Sequence, residues 1–275
     1  MRSKIVFLDI DGTLTLPGGS TPPESAVRAI RAARARGHKM ILCTGRNLDM
    51  LAPLLRYGFD GVVASDGGYV MLGDRVLYDC PMTERQRDTA MELLKRGGVL
   101  RTLEALDGTY GDEYMDDFLS AVGGGNSEME RWRRALAEEL NIRPMSEYDG
   151  RPVYKIVVMC RSMEQLEPAR RALEGEFNFA IQDEDSHGCV NGELVNRKFD
   201  KGRGVRRIAE ALGADLVDTI GFGDSVNDTE MIQTVGFSVC MGNGSPRLKS
   251  ISRMVAPPVE EDGLAAAFAM LELSK

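Results

Sequence analysis

The sequence predicts an α/β fold: a Rossmann-like, doubly wound parallel sheet core with an inserted α+β cap domain. Three observations lead there. Short apolar runs alternate with helical patterns along the first eighty residues, which is the grammar of a parallel sheet. That rhythm breaks after Cys80-Pro81 and resumes beyond Cys189. The chain has 275 residues, 43% of them hydrophobic and 28% charged, enough to bury a core without disulfides or structural metal.

The elements follow in order. Residues 4–10 are a short apolar run rich in β-formers, read as a buried strand. Thr21-Pro22-Pro23-Glu24 has the pattern of a capping box with an early proline and predicts a helix ending near Gly37. A second strand is expected at 39–43, a helix near 47–57 and a third strand at 62–64. In the middle section, Thr83 and Gln86 predict a capped helix to about Arg96, and strands are expected at 99–105, 153–160 and 177–182. Met129, Trp132, Leu136 and Leu140 form a helical stripe after the flexible Gly123-Gly124-Gly125-Asn126 connection. The last part predicts a helix over 203–212, a strand at 219–222, a helix near 226–235, a strand at 238–241 and a helix near 261–273. The expected domains are 1–81 with 189–275 as the core, and 82–188 as the cap.

Composition narrows the function. The longest unbroken apolar run, Leu264 to Leu271, falls far short of the roughly 20 residues of a membrane span. Asp9 and Asp11 interrupt the apolar stretch near the start, so no secretory leader is expected and a cytoplasmic location is. A net charge of −8 argues against general nucleic-acid binding. Two histidines cannot build a multi-histidine metal centre, which leaves a hard cation on carboxylates. Five cysteines without a CxxC suggest neither zinc nor a disulfide framework. Of these, Cys43, Cys160 and Cys240 lie in apolar runs and read as packing residues.

Four loops carry the chemistry. Asp9 and Asp11 close the first strand and, two apart, point to one side. A divalent cation would relieve their repulsion, although an Asp-Gly turn after a strand is also ordinary. Gly223-Asp224-Ser225-Val226-Asn227-Asp228 offers oxygen ligands suited to Mg²⁺, or equally an acidic helix start. Thr44-Gly45-Arg46 presents a hydroxyl and backbone N–H groups to an anion, or forms a capped turn. Ser65-Asp66-Gly67-Gly68 has the same ambiguity. Lys198 and Lys201 precede a helix whose Arg206 and Arg207 read as solvated. His187 fits a solvated loop, or a contact to a leaving group. In one parallel sheet these strand ends converge, and that convergence favours a catalytic site.

In order along the chain, Asp9-x-Asp11-Gly12-Thr13, Thr44-Gly45-Arg46, Asp200-Lys201-Gly202 and Gly223-Asp224-x-x-Asn227-Asp228 resemble the haloacid dehalogenase superfamily of phosphatases. Met231, Met241-Gly242-Asn243 and Glu261-Asp262-Gly263 resemble its Cof-like branch, which carries a large cap. The resemblance implies Asp9 as nucleophile, forming an aspartyl-phosphate, and Asp11 as acid/base. It implies Mg²⁺ held by Asp9, Asp224 and the Asp11 backbone carbonyl. Thr44, Gly45 and Lys201 would meet the phosphate, while Asn227 and Asp228 would position Lys201 or complete the metal shell. Asp66 departs from the family, where Asn often precedes the glycine, and its carboxylate would alter substrate preference. The implied function is hydrolysis of small phosphomonoesters, sugar phosphates or related metabolites, by a monomer or small homo-oligomer. A phosphomutase using the same intermediate is the alternative, and a phosphate-binding regulator without turnover a third reading. Cysteine and histidine phosphatases are excluded: no Cys-x₅-Arg occurs, and residues 36–38 read Arg-Gly-His rather than Arg-His-Gly.

Overall fold

The structure is a computed structural model that describes residues 3–113, 117, 118, 142–181 and 189–274. The stripe from Met129 to Leu140, the 123–126 connection, and Asp183, Glu184, Asp185 and His187 lie outside the described residues. Those described divide into two compact units: residues to Arg46 with Leu51–Asp79 and Phe199 onward, and Asn47–Met50 with Cys80–Lys198.

The first unit opens with β1 (Ile5–Leu8), α1 (Glu24–Ala35), β2 (Lys39–Cys43), α2 (Ala52–Leu55), β3 (Gly61–Ala64), β4 (Tyr69–Leu72) and β5 (Arg75–Asp79). The second unit holds α3 (Glu84–Arg96), β6 (Leu100–Ala105), β7 (Gly108–Gly111), β8 (Ile142–Pro144), β9 (Val153–Cys160), α4 (Met163–Leu173), β10 (Phe177–Ile181) and β11 (Val190–Asn196). The chain then completes the first unit with α5 (Lys201–Ala211), β12 (Thr219–Gly223), α6 (Thr229–Thr234), β13 (Phe237–Cys240), α7 (Pro246–Ile251), β14 (Met254–Val255) and α8 (Gly263–Met270).

The first sheet runs β14-β13-β12-β1-β2-β3-β4-β5. From β14 to β3 all pairings are parallel, with Ile5 opposite both Lys39 and Thr219. These central strands are apolar on both faces because helices cover both. Ile5, Phe7, Ile41 and Val63 pack with Val205, Ile208 and Ala209 of α5. On the other face Phe222 meets Phe268 of α8 at 5.3 Å between ring centres. Each such side chain contributes roughly 1.5–3 kcal/mol of burial.

Four features of the first unit differ from the sequence expectations. The sheet gains an antiparallel hairpin, β4–β5, turned at Gly73-Asp74 with Gly73 at φ +55°. The capping box at Thr21 does not form: Pro23 is the N-cap of α1 and supplies no side-chain bond. The helix expected over 47–57 shrinks to a 3₁₀ turn at 49–51 and the short α2. A 3₁₀ turn at 226–228 likewise precedes α6.

The second sheet has the order β10-β11-β9-β6-β7-β8. Strand β11 pairs with β9 and β10, so residues 190–196 belong here rather than to the first unit. One face of this sheet is apolar: Leu103, Ile156, Val158, Val190 and Leu194 pack with Ala90 and Leu94 of α3 and Leu166 of α4. At the start of α3, Thr83 and Gln86 form the expected box, with Gln86 N–H on Thr83 Oγ1 at 3.2 Å and Thr83 N–H on Gln86 Oε1 at 3.0 Å. Among the described residues no helix is long and apolar enough to cross a membrane.

Candidate active site

Parallel strands deliver their next residues to one end of the sheet. Asp9 follows β1 and extends its pairing, its N–H on Phe222 O at 3.0 Å. Asp224 follows the neighbouring β12. Lys201 is the first residue of α5, behind the N-cap Asp200, whose carboxylate accepts Arg203 N–H at 2.7 Å. This cap sets the helix start and so the direction in which Lys201 leaves it.

These loops meet in a buried charge cluster. Lys201 Nζ donates to Asp9 Oδ1 at 2.8 Å and to Asp228 Oδ1 at 2.7 Å. Asp228 Oδ2 accepts the backbone N–H groups of Asp224 and Ser225 at 3.0 and 3.1 Å. Carboxylate oxygens of Asp9, Asp224 and Asp228 all lie within 4.8 Å of one another. Thr13 Oγ1 donates to Asp224 Oδ1 at 3.2 Å.

Two glycines make the approach possible. A Cβ on Gly12 would lie 2.4 Å from Asp224 Oδ2, and its φ of +78° also disfavours any side chain. A Cβ on Gly223 would lie 2.6 Å from Asp228 Cγ.

The electrostatics are those of excess negative charge in a dry place. Burial pushes the Asp9 carboxyl up to about 8; Asp228 repels further while Lys201 opposes the rise. Burial, then Asp9 and Asp228, hold Asp224 well above its ordinary value. Burial alone would lower Lys201, but Asp228 and Asp9 outweigh it and raise its ammonium. Three carboxylates face one ammonium, and all donor atoms are hard oxygens. A divalent cation such as Mg²⁺ fits this set: it restores ionisation and relieves the repulsion.

The other expected residues are placed as follows. Asp11 turns its side chain to Arg46 rather than to the cluster, accepting Nε at 2.9 Å and Nη2 at 2.7 Å. Asp11 Oδ1 also accepts Gly18 N–H at 2.7 Å. Thr44 Oγ1 accepts the Arg46 N–H at 3.1 Å. Gly45 is buried beside them. Asp66 is buried in left-handed backbone at φ +55°, its N–H on Thr44 O at 3.0 Å. Asn227 accepts the Ser225 hydroxyl at 2.5 Å, and Asp228 rather than Asn227 holds Lys201. Sequence reasoning assigned no role to Arg46, Thr13 or Asn243. Asn243 Nδ2 ties down Gly12 O at 2.8 Å. Arg46 stands inside a motif, but nothing local signals a partner thirty-five residues earlier.

The chain is similar to known proteins over its whole length. A profile of the haloacid dehalogenase-like hydrolases matches residues 6–268. The chain is 28% identical to the putative phosphatase YkrA of Bacillus subtilis, with 100% of both chains covered. It is 27% identical to a phosphoglycolate phosphatase of Methanosarcina acetivorans, over 99% of this chain and 98% of that one. A crystal structure of a hypothetical protein from Geobacillus kaustophilus superposes with a TM-score of 0.80 at 27% identity, covering 99% and 100% of the two chains. A subclass IIB sugar phosphatase shares the fold at a TM-score of 0.78 and 21% identity, over 98% and 100%. The chain therefore belongs to the haloacid dehalogenase-like hydrolase family.

Proposed function

We propose that the protein hydrolyses small phosphomonoesters in a Mg²⁺-dependent reaction that passes through phosphorylation of Asp9. The supporting observation is the convergence of Asp9, Asp224 and Asp228 around a lysine bonded to two of them. Asp9 is the nucleophile: Lys201 engages Oδ1, orients the carboxylate and offsets the tendency of burial to protonate it. Asp228 fixes Lys201, and Thr13 fixes Asp224. Asp9, Asp224 and the Asp11 backbone carbonyl would hold Mg²⁺, which supplies charge neutralisation at the phosphoryl oxygens. The Thr44 hydroxyl accepts Arg46 N–H, leaving its own O–H to donate to a phosphate oxygen beside Gly45. Asp11 is the acid/base; it exchanges Arg46 for the leaving oxygen, protonates it and then takes a proton from the attacking water. The second unit is the cap that selects the substrate.

A chromogenic phosphate ester tests this. With Mg²⁺ the wild type releases phosphate carrying one oxygen from labelled water, and Asp9→Asn lowers the rate by more than about a thousandfold. Activity unaffected by that substitution overturns the nucleophile, and phosphate without solvent oxygen overturns hydrolysis.

A further inference from the structure

The end of the first sheet opposite the acidic cluster carries a basic cavity. It has a volume of about 360 Å³ and is walled by Arg31, Arg34, His38, Lys39 and Asp60, all of the first unit. Arg31 and Arg34 stand on one face of α1, His38 and Lys39 lead into β2, and Asp60 precedes β3. We propose that this cavity binds a small phosphate dianion, inorganic or organic, at a site separate from the reaction centre. The length of β2, at roughly 3.3 Å per residue, separates Lys39 from Thr44.

Two observations carry it. The first is charge. Arg31, Arg34 and Lys39 face a single carboxylate, so the walls hold an excess of positive charge in a chain of net charge −8. Asp60 does not absorb that excess. Its carboxylate accepts Arg34 Nε at 3.4 Å, Lys39 Nζ at 3.1 Å and Met40 N–H at 3.0 Å. The Arg31 side chain takes part in no hydrogen bond or ion pair among the described residues. The second observation is a donor within the wall. His38 is 3% exposed, and its Nδ1 accepts the Lys4 N–H at 2.9 Å, which fixes the ring proton on Nε2. Nε2 is buried and has no partner among the described residues. Buried donors are nearly always satisfied, so this one calls for an acceptor from outside the chain. The dipole of α1 accounts for a basic residue in its last turn, Arg34, but not for that unanswered N–H. A phosphate answers both features: its charge matches the excess, guanidinium groups hold its oxygens in pairs, and a further oxygen accepts from His38. A carboxylate monoanion leaves part of the excess uncompensated, and a polynucleotide meets the repulsion of an otherwise acidic chain.

Nuclear magnetic resonance of the full-length, ¹³C,¹⁵N-labelled protein tests this at constant pH without Mg²⁺. The probes are inorganic phosphate and methylphosphonate, whose carbon–phosphorus bond a phosphatase does not hydrolyse, each set against chloride at matched ionic strength. The expected result is a saturable shift of the His38 ring C–H signals, with a dissociation constant on the order of a millimolar or below. Saturation by both probes assigns the site to organic phosphates as well; saturation by phosphate alone assigns it to the inorganic ion. Arg31→Gln and Lys39→Gln each weaken binding by about tenfold, and either carries the test should the other not fold. Asp60→Asn, which removes the cavity's carboxylate, tightens it. The Gly45 N–H, beyond the other end of β2, reports separately on the reaction centre, and its titration is the same in all three variants. Signals that stay still, or that follow ionic strength alike in phosphate and chloride, overturn the proposal. So does a His38 titration that the three substitutions leave unchanged.

Discussion

Each unit buries one lysine between two carboxylates, and the two arrangements differ in what holds them. In the first, Lys201 opens a helix, and Asp9 and Asp228 come from loops beyond strand ends, where backbone N–H groups also reach Asp228. In the second, Lys155 and its glutamates stand mid-strand on a sheet, brought together by its register. The first also recruits Asp224 and so accumulates enough charge for a divalent cation. Among the described residues, the second sets two carboxylates about its lysine. A lysine between carboxylates is thus built both beyond strand ends and in a strand middle.

Paired substitutions break or sharpen that contrast. Lys201→Met should lower kcat by more than about a thousandfold while the melting temperature in Mg²⁺ moves little, because the cation still offsets the carboxylates. Lys155→Met should do the reverse: it leaves two like charges buried and costs about 3–5 kcal/mol in urea unfolding. Similar stability losses in both variants would erase the distinction. Next in size, saturating Mg²⁺ should stabilise the wild type by about 2–3 kcal/mol at a hundredfold excess over its dissociation constant. Asp224→Asn should abolish that shift in a thermal melt.

The smallest effect belongs to a rim carboxylate outside both clusters. Burial would raise Asp60, but the Met40 N–H, the Lys39 ammonium and the Arg34 charge outweigh it and hold its carboxyl below the ordinary value. A depressed acid stabilises the fold at neutral pH and loses that contribution as pH falls through its folded value. Asp60→Asn should thus cost about a few tenths of a kcal/mol at pH 7, given its partial exposure, and nothing in strong acid. A cost independent of pH would sink this assignment.

The sheet-forming segments and the loops bearing Asp9, Lys201, Asp224 and Asp228 were legible because both signals are local. An apolar run marks a strand, and the polar residue after it marks a strand end. The Arg46–Asp11 pair was not, since its partners meet only once β1 and β2 lie side by side. The β4–β5 hairpin was missed because its half-exposed strands carry mixed residues such as Arg75-Val76-Leu77-Tyr78-Asp79 rather than a clean alternation. The Thr21 pattern misled for a physical reason: Pro23 takes the N-cap position itself, so no hydroxyl is in place to accept from the first turn.

The position of β1 between β2 and β12 has a consequence for synthesis. Ile5 finds β2 early, but Thr219 on its other side is translated only after the whole second unit. At roughly 5–20 residues per second, that apolar edge waits on the order of ten to forty seconds at the ribosome. Until β12 arrives it is a bare template for stray strands. Nascent chains stalled before Thr219 are thus the natural clients of a holding chaperone, and those stalled after Met270 are not.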